Sequence, residues 1–360
     1  MRKNKNNVQI IFDKGKNMNW TKKEEVLNSL KEDGMNLKYV SPALQNDPEV
    51  VLMAVKQNCW AIEYASEELR NDPEIVKEAI KQNGKSIEYA SPALKNNTEI
   101  AMMAIKQYGG AIGYISEELR DDFEIGMETV KQYGLLLDRL SDRLKNNKEI
   151  VIEAIKNFSL AIDYASENLK NDPEVVLEAI KKDTRNIKYA SENIRSNKEI
   201  MKIALKDNCW NLKYASKEIQ DDKELVMPLI KKNNDIVMYA STRLQNDKDI
   251  IEECIKHYGT DIFKYTNDDI RNNRDIMFRA VQVTGFNINY ASEELRNDEN
   301  LMRVALKTCS WAYQFAGPEL KEKYPTVEKF IESTKEKVKP KETSKEKPTR
   351  SRIKSKGQER

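Results

Sequence analysis

The triplet Tyr-Ala-Ser, or a near variant, returns every 25 residues through most of this chain, and no other feature constrains its fold so tightly. Tyrosines stand at Tyr39, Tyr64, Tyr89, Tyr114, Tyr164, Tyr189, Tyr214, Tyr239, Tyr265 and Tyr290, with Arg139 and Phe315 in the two slots that lack one. One extra residue before Tyr265 is the single break in register. A fixed short period means copies of one small unit, none of which buries its apolar face alone.

The stretch from Tyr64 to Glu88 is the clearest copy. Asp72-Pro73-Glu74 reads as a helix start: an acceptor for the orphan amides, a proline in the first turn, and a carboxylate at the positive end. Ile75, Val76, Ala79 and Ile80 then form one apolar helix face. Lys81 suits the negative end, and Asn83-Gly84 predicts a left-handed stop. A shorter helix is expected to carry Ile87, Tyr89 and Ala90 to the same core, before Ser91 caps a turn anchored by Leu94.

Other copies keep this grammar. The cap slot holds Asp47, Asp72, Asn97, Asp122, Asn147, Asp172, Asn197, Asp222, Asp247, Asn273 and Asp298. A small residue recurs in mid-helix from Ala54 to Ala305, replaced by Thr129, Leu229 and Cys254. Small side chains there let neighbouring helices approach to ~8–10 Å. Thr21-Lys22-Lys23-Glu24 predicts a capping box for a first, lone helix. The expected fold is all-α: a right-handed α-solenoid of about twelve 25-residue helix-turn-helix repeats. It divides into a basic extension at 1–16, the array with its N-terminal cap helix at 17–334, and a basic tail at 335–360, whose composition predicts disorder.

Net charge is +2 in total, but the tail carries 11 basic and 4 acidic residues and the first 16 residues carry 5 and 1. Subtracting +7 and +4 leaves −9 for the array. An acidic body with basic ends is a poor match to a nucleic-acid groove. The apolar run Val8 to Phe12 is too short for a signal core or a span. Cys59, Cys209, Cys254 and Cys309 lie in different copies, too far apart for the first pair to cross-link, so reduced thiols in a cytoplasmic setting are expected. With one histidine, His257, and no phosphate loop, Cys-x-x-Cys or His-Glu-x-x-His, no catalytic, cofactor or metal residue is assigned. An enzyme is not expected.

Four surface rows invite a partner. Lysines from Lys56 to Lys307 and acids from Glu49 to Asp275 fit the ends of the helix dipole, and equally a ridge for an acidic partner. Arg70, Lys95, Arg120, Lys145, Lys170 and Arg195 admit the same two readings. Just outside the core stripe, Met102, Met127, Ile152 and Leu177 make four apolar copies in succession, either a patch for a partner helix or peptide or a widened core. In the tail, Arg350, Arg352, Lys354 and Lys356 are candidate contacts to nucleic acid, with Ser351 and Ser355 as candidate phosphorylation sites.

The unit L-[RK]-N-D-P-E-[IV]-V-x-x-A-[IV]-K…[IL]-x-Y-A-S resembles the family described as domain of unknown function 4116, over about residues 34–320. Arg139-Leu140, Tyr265-Thr266-Asn267 and the final unit depart from it. The resemblance implies tandem helical repeats without an assigned activity, in bacteria with intracellular lifestyles, protists and large DNA viruses. The expected function is a monomeric protein–protein interaction scaffold, acting in the host cytosol if delivered as an effector. The alternative is a nucleic-acid-binding protein using the basic tail and the lysine ridge.

Overall fold

A computed structural model describes residues 18–256 and 261–336, and every regular element among them is helical. Each full repeat is a long α-helix, a short 3-10 helix and a single closing turn of helix, four residues long in most copies and three at Leu69–Asn71 and Leu119–Asp121. In the clearest copy these are Pro73–Gln82, Gly84–Tyr89 and Pro92–Lys95. By its contacts the chain forms two units, residues 1–229 with 239–241, and residues 230–238 with 242–360.

Every cap-slot residue works as its type predicts. From Asp47 to Asp298, all eleven side chains accept a backbone N–H two or three residues on. The helix then buries its apolar face: Ile75, Val76, Ala79 and Ile80 are sealed from solvent, as are their counterparts in neighbouring copies. Each such large side chain contributes about 1.5–3 kcal/mol. In the first unit each long helix packs on the long helices before and after it in the chain. The mid-helix alanines are fully buried in these seams, and Thr129 fits there by donating its hydroxyl to Ile125 O at 2.8 Å.

The serine of the triplet joins one copy to the last. Ser91 N–H donates to Arg70 O at 2.9 Å, and its hydroxyl donates to Asn71 Oδ1 at 2.6 Å while accepting the Leu94 N–H at 3.2 Å. The same bridge recurs at Ser116, Ser166, Ser191 and Ser292. At the departure Tyr265-Thr266-Asn267, Asn267 takes the serine's place and caps Ile270. A second bridge sits at the helix end, where Gln82 donates to Val55 O and accepts the Cys59 N–H.

Four expectations are corrected. Gly84 is not a left-handed stop: Asn83 is extended, with φ −153°, and the 3-10 helix begins at once. Glycine is favoured there because a Cβ would run into the carbonyl oxygen of Ala104 in the next copy. The tyrosine does not join the core, since Ile87 and Ala90 turn in while Tyr89 stays half-buried. The capping box at Thr21 is not formed; the first helix starts at Lys23 without a side-chain cap, and Thr21 donates to Asn19 instead. Nor is that helix a lone one, because the 3-10 helix Gly34–Tyr39 follows it as in every other copy.

The second unit repeats the pattern and closes differently. Ile250, Ile251 and Cys254 fill one helix face, and Ile276, Met277 and Ala280 the next. After Gly317, the helices Pro318–Lys323 and Val327–Glu336 cover the last copy, with Phe330 fully buried against Tyr313 and Tyr324.

Candidate interaction surface

In the first unit the exposed large apolar side chains gather on one kind of element. Tyr108, Tyr133, Phe158, Leu160, Tyr164 and Trp210 all lie on the 3-10 helices or at the joints leading into them, and among the described residues only Ile203 stands elsewhere. The half-buried tyrosines of the triplet line the same edge, Tyr89 and Tyr239 among them in ring contact with the preceding copy. Trp60 meets Tyr89 at 6.3 Å between centroids, and Trp210 meets Tyr239 at 6.1 Å, both edge to face. Edge lysines lean over these rings: Lys188 lies 4.4 Å from the Tyr189 centroid and Lys213 4.6 Å from that of Tyr214. Such contacts are worth about 0.5–1 kcal/mol each at an exposed site.

The joint between long helix and 3-10 helix explains three of the exposed rings. Asp33, Asn58, Asn83, Asp183 and Asn208 each use a side-chain oxygen to accept the N–H two residues on. Tyr108, Tyr133 and Phe158 occupy that place in three consecutive copies and cap nothing. Their rings are 47%, 47% and 37% exposed. A lost cap costs about 1 kcal/mol. The buried half of a tyrosine regains ~2–3 kcal/mol, from roughly 100 Å² removed from water. The aromatic therefore gains only ~1–2 kcal/mol over the cap, and its exposed half contributes nothing to folding.

The candidates read from the sequence fall out differently. Met102, Ile152 and Leu177 are half-buried and Met127 is 9% exposed. Lys77, in the same slot one copy earlier, reaches Glu99 of the next long helix at 2.9 Å, so the slot faces the seam between long helices. The row is the outer margin of the core there. The lysine and acid rows are exposed throughout their described members, and Lys81, Lys181 and Lys256 pair with glutamates three residues earlier.

The third charged row has a structural task. Arg120 donates to Ile115 O at 3.1 Å, Arg195 to Tyr214 O at 3.2 Å and Arg271 to Phe263 O at 3.2 Å. Glutamines at the same slot, Gln45 and Gln220, donate to Leu37 O and Leu212 O, the counterparts of Phe263 O. These side chains satisfy the open ends of the 3-10 helices. Burial lowers the Lys95 pKa in that slot. His257 and the tail residues Arg350, Arg352, Lys354 and Lys356 lie outside the described residues. Among the described residues no group of His, Cys, Asp and Glu is arranged to hold a metal, and no helix is long and apolar enough to cross a membrane.

Sequence reasoning missed the edge because an aromatic inside a repeat reads as core. The signal was available nonetheless: Tyr108, Tyr133 and Phe158 fill a slot that the flanking copies give to Asn or Asp.

Comparison with protein families gives one match, to the model described as Domain of unknown function (DUF4116), at residues 22–70, 47–95, 72–120, 97–145, 122–170, 172–220, 222–271 and 273–321. Each match covers two successive 25-residue copies. No curated protein and no solved structure matches the chain.

Proposed function

The chain belongs to the DUF4116 family, and from that footing we propose that it is a non-enzymatic scaffold that binds a protein partner along its 3-10 edge. In this reading it works as a cytoplasmic monomer, with its roughly twelve copies wound as a right-handed stack. The observation that carries the proposal is the concentration of exposed aromatic and aliphatic side chains on that edge, while the long-helix rows stay polar. An apolar surface rimmed by lysine and carboxylate side chains suits protein recognition, where aromatic anchors supply the binding energy and charges set orientation.

Proximity labelling in the native organism tests it, comparing the natural chain with a Tyr164→Ser, Trp210→Ser variant. The proposal expects a defined set of proteins that the variant loses. An unchanged set removes the edge as the binding surface. Labelling dominated by nucleic-acid-bound proteins, together with affinity for nucleic acid that falls steeply with salt, supports the alternative reading instead.

A further inference from the structure

Three adjacent copies of the edge set their exposed rings beside lysines in sequence, and two of those lysines lack a carboxylate partner. Lys106, Lys131 and Lys156 stand two residues before Tyr108, Tyr133 and Phe158. Where Lys81 has Glu78 to pair with, Lys106 has Met103. Glu128, the acid placed to pair with Lys131, accepts from Gln132 instead, at 3.1 Å. Among the described residues neither Lys106 nor Lys131 has a carboxylate within ion-pair distance, and Lys156 keeps only a loose contact of 3.8 Å to Glu153.

The 3-10 helix between these lysines is Gly109–Gly113, and its glycines change the surface further. Gly110 lies under the Tyr108 ring, which a Cβ there would strike. Gly113 takes the slot that holds Glu63, Glu88, Asp138 and Asp163 in other copies. A Cβ at Gly113 would meet nothing within 4 Å, so packing does not require glycine there. The copy thus lacks a side chain and a negative charge on the 3-10 helix that follows Tyr108. Tyr133 and Phe158 continue the ridge in contact, with centroids 5.8 Å apart and planes tilted by 59°.

We propose that this ridge docks an acidic, apolar segment of a partner protein. Its aliphatic or aromatic side chains lie on Tyr108, Tyr133 and Phe158, and its carboxylates meet Lys106 and Lys131. The proposal rests on the scaffold reading and gives the partner its chemistry. Charge complementarity selects this occupant, because unpaired lysines draw carboxylates and repel basic segments. A nucleic-acid strand fits less well. Rings tilted by 59° against each other offer no continuous stacking face.

The test uses the full chain, fluorescence anisotropy and four labelled probes: peptides of repeated Glu-Glu-Leu, Gln-Gln-Leu and Lys-Lys-Leu, and oligothymidylate. The acidic peptide is expected to bind at least about tenfold more tightly than the other three. Tyr133→Asn with Phe158→Asn gives those copies the cap that flanking copies use, and is expected to abolish that preference while the helical content is retained. Lys106→Gln with Lys131→Gln is expected to weaken the acidic probe only and flatten its salt dependence. Equal binding of the acidic and neutral peptides, binding of no peptide, or acidic binding that survives the double asparagine variant overturns this inference and leaves the scaffold reading standing. Oligothymidylate binding more tightly than any peptide overturns both.

Discussion

Replacing Ser91 by alanine isolates what the triplet's serine does, because the chain contains its own control. Ser91→Ala removes the cap on the Leu94 N–H and the hydroxyl bond to Asn71, and leaves the backbone bond to Arg70 O in place. The cap is worth about 1 kcal/mol and the second bond about 0.5–1.5 kcal/mol, so the loss comes to ~1.5–2.5 kcal/mol. Ser216 occupies the same slot but neither caps its helix nor crosses to position 196, where Ser196 turns its hydroxyl to Glu192 O. Ser216→Ala is expected to change stability by less than ~0.5 kcal/mol. Amide hydrogen exchange reads the effect locally, which suits a repeat protein whose copies need not unfold together. Exchange at the Leu94 amide is expected to rise roughly ten- to seventyfold in Ser91→Ala, with little change at Ile219 in Ser216→Ala. Equal effects at the two sites, or none at Leu94, would refute the claim that this hydroxyl ties one copy to the next.

Three further outcomes follow from the same packing. A Cβ at Gly134 would overlap the carbonyl oxygen of Ala154 and come within 3.1 Å of the Phe158 nitrogen, so Gly134→Ala should cost ~1–3 kcal/mol by urea denaturation, whereas Gly113→Ala, pointing into open space, should be neutral or stabilising. The cap aspartates Asp47 and Asp222 are held below the usual carboxylate pKa, first by hydrogen bonds from Lys23 and Lys198 of the preceding copy and then by helix amides. Since their folded values lie below the unfolded value of about 3.9, their contribution is present in full above that pH and disappears as pH falls through the folded values. Urea midpoints measured from pH 6 to pH 2.5 should drop, and Asp47→Asn should make the drop shallower. Burial pushes the Cys254 thiol up to about 12, so a disulfide reagent at pH 8 should label half-buried Cys209 well before Cys254; equal labelling rates would contradict the packing around Cys254.

Features set by local chemistry were legible in the sequence, and features set by the approach of two copies were not. Asp72 and its ten equivalents cap because an acceptor before a helix has one favourable use. Ala79 and Ile80 go inward because their spacing leaves no other apolar face. Gly84, by contrast, follows an Asn and reads as a turn residue, yet its role comes from Ala104 in the next copy. Arg120 and Arg195 read as surface charge, yet each donates to a backbone carbonyl beside the end of a 3-10 helix, Ile115 O and Tyr214 O. The apolar row at Met102 stayed open between a partner patch and a widened core, because a single helix does not reveal how far its neighbour leans. Tyr133 was passed over for the same reason in reverse.

Site-specific photo-crosslinking tests the account most directly. A benzophenone side chain is placed in turn at residues 108, 133 and 158 of the 3-10 edge and at residues 81 and 102 of the long helix, then irradiated in the native organism. The account predicts a discrete protein adduct from the first three positions and none from the last two. Adducts confined to positions 81 and 102, or made to nucleic acid in place of protein, would contradict it.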